Sequence, residues 1–368
     1  MVGSDRDMKK KELLDIYTDY LISQNQYATA TGLSAMLDGQ VSHDQVGRLL
    51  RDSEYGSKAL WTQIKSSVRT HEQDKGGVLI LDDTISEKPY TDENSINCWH
   101  YCHSKGRNLK GINILSALIS YDDVTLPVGY AITDKDIIYS DIKTKKQKRQ
   151  SSVSKNEQFR SLLKQSVRNH IKFDYVLADS WFCSKNNLHF IHKDIKKHFI
   201  FAIKSNRLAS LEKISKADKG NGQYLSVKSL DFQSGQCQGV YLKDIDFPVQ
   251  LYKQSFTNED GSTGTLYLVT NDLTLSADHL SALYHKRWKI EVFHKSIKQN
   301  ASLSKSPTKT KRTQTNHLFA SMLAFCKLEL LKIKTAMNHF AIRYKLIVKA
   351  NRTMFDELQK IKEIYAHA

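Results

Sequence analysis

The chain has 368 residues, with 55 Lys and Arg against 39 Asp and Glu, a formal net charge of +16. Hydrophobic residues make up 40% and aromatics 10%, enough for a real core, so wholesale disorder is excluded. Only four prolines and 16 glycines occur, which excludes collagen-like repeats and long Pro-rich linkers. No apolar run approaches the ~18 residues that span a bilayer. The opening stretch, MVGSDRDMKKKELLD, lacks the apolar segment of a secretion signal. These features predict a soluble intracellular protein with no membrane partner. The five cysteines (Cys98, Cys102, Cys183, Cys237, Cys326) are scattered and odd in number, so no disulfide framework is expected. The excess positive charge points to a polyanion, with nucleic acid the leading candidate.

Residues 9–26 read as a helix, with Leu13, Leu14, Tyr17, Tyr20 and Leu21 at helical spacing. Two short helical patterns follow, over 32–37 and from Ser42 onward, where Ser42 and Gln45 have the spacing of a capping box. Two short helices around a turn at Gly39 are compatible with a helix-turn-helix, and equally with any small bundle. A further helix covers 57–70. The character changes at Gly76-Gly77. Val78-Leu79-Ile80-Leu81 then runs into Asp82-Asp83-Thr84 and reads as a buried central strand. GINILSALISY and TLPVGYAIT follow as strands around Asp122-Asp123. Residues 136–155 are polar and basic, with Lys143, Lys145, Lys146, Lys148 and Arg149, and read as an exposed loop or helix start. A helix over 157–170, a strand FDYVLA ending at Asp179, a helix over 185–194 and a strand HFIFAIK complete a mixed α/β order. Residues 224–270 read as a small β-rich subdomain. A long helix over 274–299, a basic connection containing Pro307, an apolar helix over 315–339 and a last helix over 353–366 close the chain.

The expected division is a helical DNA-binding region (1–70), an α/β core in two parts (76–210 and 274–335), a β-rich insertion (211–273) and a C-terminal helical region (336–368). Asp83 and Asp179 each end an apolar strand run. Two carboxylates at adjacent parallel strand ends make an oxygen-ligand site suited to Mg²⁺ or Mn²⁺. Taken singly, a strand-end Asp more often just begins a turn. At about 100° per residue, Tyr284, Arg287, Glu291 and Lys298 share an arc of about 60°, beside a buried stripe of Leu283, Ile290, Phe293 and Ile297. Cys98, Cys102 and His103 lack a second pair at zinc-binding spacing, His294 does not complete an H-E-x-x-H pattern, and no P-loop occurs.

The column Tyr284-x2-Arg287-x3-Glu291-x6-Lys298 resembles the Tyr-x2-Arg-x3-Glu-x6-Lys signature of a large class of bacterial DDE insertion-sequence transposases. The strand ending Asp82-Asp83-Thr84 resembles that family's first catalytic segment, and Ala178-Asp179-Ser180-Trp181-Phe182 resembles its second. The likeness covers residues 76–335. It implies a ribonuclease H-like mixed sheet with a β-rich insertion, and a triad of Asp83, Asp179 and Glu291 holding two Mg²⁺ or Mn²⁺ ions. An Asp-Thr order favours Asp83 as the first carboxylate. Asp82 is the alternative, and strand alternation lets only one of the two face the site. The resemblance further implies metal-dependent cleavage of double-stranded DNA at transposon inverted repeats, then strand transfer into target DNA, with a hairpin route as an open option. A homodimer in the synaptic complex and a cytoplasmic, nucleoid-associated bacterial location come with it. Arg287 and Lys298 are expected phosphate ligands, and Tyr284 a phosphate or Glu291 partner. Trp288 and Trp181 are candidates to stack on a displaced base, with packing as the plain alternative for each. Lys105 and Arg107, the cluster Lys145, Lys146 and Arg149, and the connection Lys309, Lys311 and Arg312 are expected DNA contacts. Two other readings stay open: a ribonuclease H-like nuclease or resolvase without strand transfer, and a non-catalytic DNA-binding derivative.

Overall fold

A computed structural model describes residues 10–366 apart from 75, 104, 143 and 215–223. Residues 1–9 of the expected N-terminal helical region, and Lys143 of the basic cluster, lie outside the described residues. Four helices come first: α1 (Lys10–Ser23), α2 (Ala30–Met36), α3 (His43–Asp52) and α4 (Ser57–His71). Their starts follow the local chemistry. The Thr29 hydroxyl accepts from the Gly32 N–H, and Ser42 with Gln45 closes a reciprocal capping box. Then come β1 (Val78–Glu87), β2 (Asn97–Cys102), β3 (Arg107–Tyr121), β4 (Val124–Ile132), β5 (Ile137–Ser140) and β6 (Gln147–Gln150). They are followed by α5 (Lys155–Arg168), β7 (Tyr175–Ala178), α6 (Lys185–His189) and β8 (His198–Ala202). The β-rich segment holds β9 (Leu208–Ser210), β10 (Leu225–Ser226), β11 (Cys237–Leu242), β12 (Val249–Thr257) and β13 (Thr263–Thr270). The chain ends in α7 (Ala277–His285), α8 (Trp288–Gln299), α9 (Lys311–Thr335) and α10 (His339–Ala366).

The core of the sheet runs β4-β3-β1-β7-β8. The β1–β7 and β7–β8 pairs are parallel, and β1–β3 and β3–β4 are antiparallel. This is the mixed α/β arrangement of a ribonuclease H-like fold. The central strands are fully buried from Val78 to Leu81 and from Val176 to Ala178, which is why their sequences are continuous apolar runs. Helix α5 covers β3 and β4 on one side, and α8 packs on β1. Past the core, β13 pairs antiparallel with β8, so the β-rich segment extends the same sheet through β12, β11, β9 and β10. It is therefore continuous with the core sheet by backbone hydrogen bonds.

Several elements differ from the sequence expectations. Residues 136–155 contain the β5–β6 hairpin rather than an unstructured loop, and β2 occupies the polar stretch before β3. The helix expected over 274–299 is broken into α7 and α8. At the junction the Lys286, Arg287, Lys289 and Ile290 N–H groups bond three residues back, a tighter turn than an α-helix. The last two helices divide at Ala336, which takes a left-handed conformation with φ 54°.

Helix α9 ties the two ends of the chain together. Its buried Asn316 donates to the Leu50 and Ser53 carbonyls, and its His317 lies 2.9 Å from the Tyr17 hydroxyl. Lys327 bonds Asp19 at 2.7 Å. The polar residues at these α9 positions answer polar groups of the helices that cover them: the Tyr17 hydroxyl and Asp19 carboxylate of α1, and the Leu50 and Ser53 carbonyls at the end of α3.

Candidate active site

Strand β1 keeps its antiparallel neighbour β3 along its whole length, to Glu87 opposite Gly111. Its parallel neighbour β7 pairs only as far as Ile80 opposite Leu177. Beyond that point a crevice opens at the carboxyl end of the parallel strands, the usual ligand position in such sheets. Both Asp82 and Asp83 stand on its edge. Asp179 follows β7 directly, its carboxylate fixed by accepting from the Trp181 N–H at 3.0 Å. Continued two residues past Ile80–Leu177, the parallel register sets Asp82 level with Asp179.

The two neighbouring aspartates keep different company. Asp83 points toward α5 and β3. It accepts from Lys155 Nζ at 2.7 Å and from Asn113 Nδ2 at 2.5 Å. Lys155 is placed there by the Ser154–Glu157 capping box, which starts α5. Asp82 points toward α8, where Arg287 lies 3.6 Å away. The same guanidinium lies 3.4 Å from Glu291, one helical turn on. Burial, and then the proximity of Asp179 and Asp83, push the Asp82 carboxyl up to about 8. Burial also raises Asp179, against the backbone N–H groups of Trp181 and Phe182.

The tight turn before α8 does not scatter the signature column. Tyr284 stacks under the Arg287 guanidinium at 5.7 Å, and burial pushes its hydroxyl up to about 12. Lys298 donates to the Thr84 hydroxyl at 2.6 Å, and burial lowers its pKa. Thr84 shares the Asp82 face of β1, so Arg287, Glu291 and Lys298 converge on that face. The resulting cleft has a volume of ≈ 700 Å³ and is lined by Asp82, Asp83, Asp179 and Glu291 together with Lys155, Lys204 and Lys298. His294 also lines it, with a buried Nε2 that has no hydrogen-bond partner among the described residues, and burial drops its pKa to about 3.

Trp181 stands at the mouth, 40% exposed, with Lys155 Nζ 5.3 Å from its ring centroid. Trp288 is 61% exposed at the start of α8, so it is not a core residue. The other basic residues singled out in the sequence lie outside the cleft lining. Lys105 pairs with Glu87 at 2.5 Å, and Arg107 is exposed at the start of β3. Lys145 and Lys146 are exposed in the β5–β6 turn, and Arg149 pairs with Glu93 at 3.1 Å. Lys309 is exposed, Lys311 pairs with Asp134, and Arg312 pairs with Glu54 at 2.6 Å. Lys155, Asn113, Thr84 and Lys204 were not singled out. For Lys155 the capping box was a usable signal; for Asn113, in the middle of an apolar strand, there was none.

The donor set fits a hard divalent cation. It is all carboxylate oxygen, with Asp82, Asp83, Asp179 and Glu291 around one cleft. Among the described residues no three acidic, imidazole or thiol groups close on one point at coordinating distance. Glu291, turned to Arg287 and 42% exposed, has room to swing inward.

The family model for DDE superfamily endonucleases matches residues 4–224, more than half of the chain. The chain belongs to the DDE superfamily. A second model, the transposase DDE domain, matches residues 142–326 and so takes in the β-rich segment and the whole of α8. At the family level this DDE protein is a transposase-type nuclease, an enzyme acting on DNA. No curated protein matches the chain. No helix among the described residues is long and apolar enough to cross a membrane.

Proposed function

We propose that this DDE protein is a DNA transposase that cleaves double-stranded DNA at the inverted repeats of its element and joins the freed 3′ ends to target DNA. The observation that carries the reading is the convergence of Asp82, Asp179 and Glu291 with Arg287 and Lys298 at the open end of β1 and β7. We take Asp82 as the first carboxylate. The Asp-Thr order favours Asp83, but the register with Asp179 and the shared Arg287 favour Asp82, while Asp83 is already neutralised by Lys155.

Asp82, Asp179 and Glu291 would hold the divalent metal, two Mg²⁺ or Mn²⁺ ions by family likeness. A metal held by these residues would supply Lewis-acid activation of the attacking water or 3′-hydroxyl and charge stabilisation at the leaving 3′-oxygen. The chain's own groups do the positioning. Arg287 restrains Asp82 and Glu291 together and holds Glu291 ready beside the cleft. Lys298, Lys204 and Lys155 receive the phosphates flanking the scissile bond. Exposed Trp181 and Trp288 offer faces for a base displaced as the ends open, in keeping with a hairpin route. Lys105, Arg107, Lys145, Lys146, Arg149, Lys309, Lys311 and Arg312 extend the phosphate contact beyond the cleft. A nucleoid-associated homodimer bridging two ends belongs to the same reading.

The test is incubation of the full chain with linear DNA carrying the element's terminal repeats, a target plasmid and Mg²⁺. Wild type should release 3′-hydroxyl ends and form joined products. Asp82→Asn, Asp179→Asn and Glu291→Gln should do neither. Cleavage that persists in the Asp82 variant and vanishes in Asp83→Asn would reverse the first-carboxylate assignment. Nicks without joined product would leave a nuclease without strand transfer.

A further inference from the structure

No role in holding metal or phosphate accounts for His294. It sits in α8, is only 6% exposed and lines the catalytic cleft. Its buried Nε2 has no hydrogen-bond partner among the described residues. Buried polar atoms are ordinarily paired, so an orphan beside an active site calls for a partner that another state supplies. Burial, reinforced by Lys298 one turn on, keeps the ring neutral, with one N–H to give.

The helix says where that partner lies. Arg287, Glu291 and His294 follow one another at intervals of four and three residues, so they stand in one row along α8 with Glu291 in the middle. Helical side chains lean toward the N-terminus, which carries the His294 ring back over the turn that holds Glu291. The Glu291 carboxylate now leans the other way, 3.4 Å from Arg287, and is 42% exposed. Its second neighbour in the row is therefore left without a partner. A Glu291 side chain that turns from Arg287 into the cleft, toward Asp82 and Asp179, comes within reach of His294.

We propose that His294 is a positioning residue for Glu291: its Nε2–H donates to the Glu291 carboxylate once that group has turned inward to hold a divalent cation. The inference rests on Glu291 being the third carboxylate of the site. One oxygen then faces the cation and the other is fixed by the imidazole. Outer hydrogen bonds of this kind orient a ligand and are worth roughly 10–100-fold in metal affinity. A hard cation takes oxygen in preference to nitrogen, so the ring acts on the carboxylate and not on the metal.

The test is Mn²⁺ binding to the full chain without DNA, followed by the electron paramagnetic resonance of the free ion, so no turnover is needed. His294→Leu should weaken binding by roughly 10-fold or more. His294→Gln, which keeps an N–H donor, should recover most of the loss. Both should leave the metal-free melting temperature no lower than wild type, because no existing bond is removed. In a Glu291→Gln background, adding His294→Leu should change the affinity by less than about twofold, because the two side chains act as one unit. Equal losses in both backgrounds would reveal a packing role and overturn the proposal. So would a nitrogen coupling to bound Mn²⁺ that His294→Leu abolishes, which would make the ring a direct ligand. Wild-type affinity in His294→Leu, with binding lost in Glu291→Gln, overturns this inference and leaves the catalytic reading standing. A wild type that binds no Mn²⁺ overturns both.

Discussion

Replacing Asp82 by Asn separates the two candidate first carboxylates without any DNA. In the metal-free protein burial and the nearby Asp179 and Asp83 hold the Asp82 carboxyl near 8, against an ordinary 3.8. A raised folded-state pKa means the folded protein keeps a proton that the unfolded chain gives up. That stabilisation is whole below pH ~4 and is lost as pH rises toward 8. At about 1.4 kcal/mol per unit, the deficit accumulated between 3.8 and pH 7 is up to about 4 kcal/mol. Asn keeps the shape and removes the charge. The metal-free Asn variant should therefore melt above wild type at pH 7, by up to about 5 K for a chain of this length, with the gap shrinking by pH 5. Mg²⁺ should raise the wild-type Tm progressively and leave the variant nearly unmoved. Asp83→Asn should behave oppositely. It strips the partner from Lys155, costs about 1–3 kcal/mol and preserves the Mg²⁺ response. The assay is differential scanning fluorimetry across pH and Mg²⁺ concentration. The reasoning fails if Asp82→Asn melts lower at pH 7 while Asp83→Asn melts higher and loses the Mg²⁺ response.

Three further outcomes are expected. His317 is buried between Tyr17 and the Ser302 carbonyl, with its pKa lowered to about 4, chiefly by burial. A lowered histidine pKa contributes stability that is present above pH ~6.5 and lost as pH falls toward 4, so His317→Gln should flatten the acid limb of a urea-denaturation series by up to about 1.4 kcal/mol per pH unit. Glu329 is buried and accepts from the Thr125 N–H at 2.8 Å and from Lys332 at 2.7 Å. Glu329→Gln should cost about 2–4 kcal/mol, read as a lower urea midpoint, and an unchanged midpoint would show that this buried charge holds nothing. Lys298→Ala should reduce DNA cleavage without altering the melting temperature by more than about 2 K, because Lys298 bonds one hydroxyl, on Thr84. A large stability loss would make it a structural residue.

Elements whose pattern is local are legible in the order of residues alone. The apolar runs at Val78–Leu81 and Val176–Ala178 had to be buried central strands, and Ser42 with Gln45 had to start a helix, because periodicity and capping are settled within a few residues. The column Tyr284, Arg287, Glu291 and Lys298 was legible too, since spacing alone gathers it on one side. What pairing over long separations decides was not legible. Only the sheet shows that β13 joins β8, which merges the β-rich segment with the core. The break at Ala336 carries no glycine or proline, although Asn338 marks the start of α10 by accepting from the Ala341 N–H at 2.9 Å. The difference between Asp82 and Asp83 lies in which neighbouring strand stops first. Alternation says that the two face opposite sides. Both carboxylates border the cleft, and only the tertiary structure brings Arg287 to Asp82 and Lys155 to Asp83.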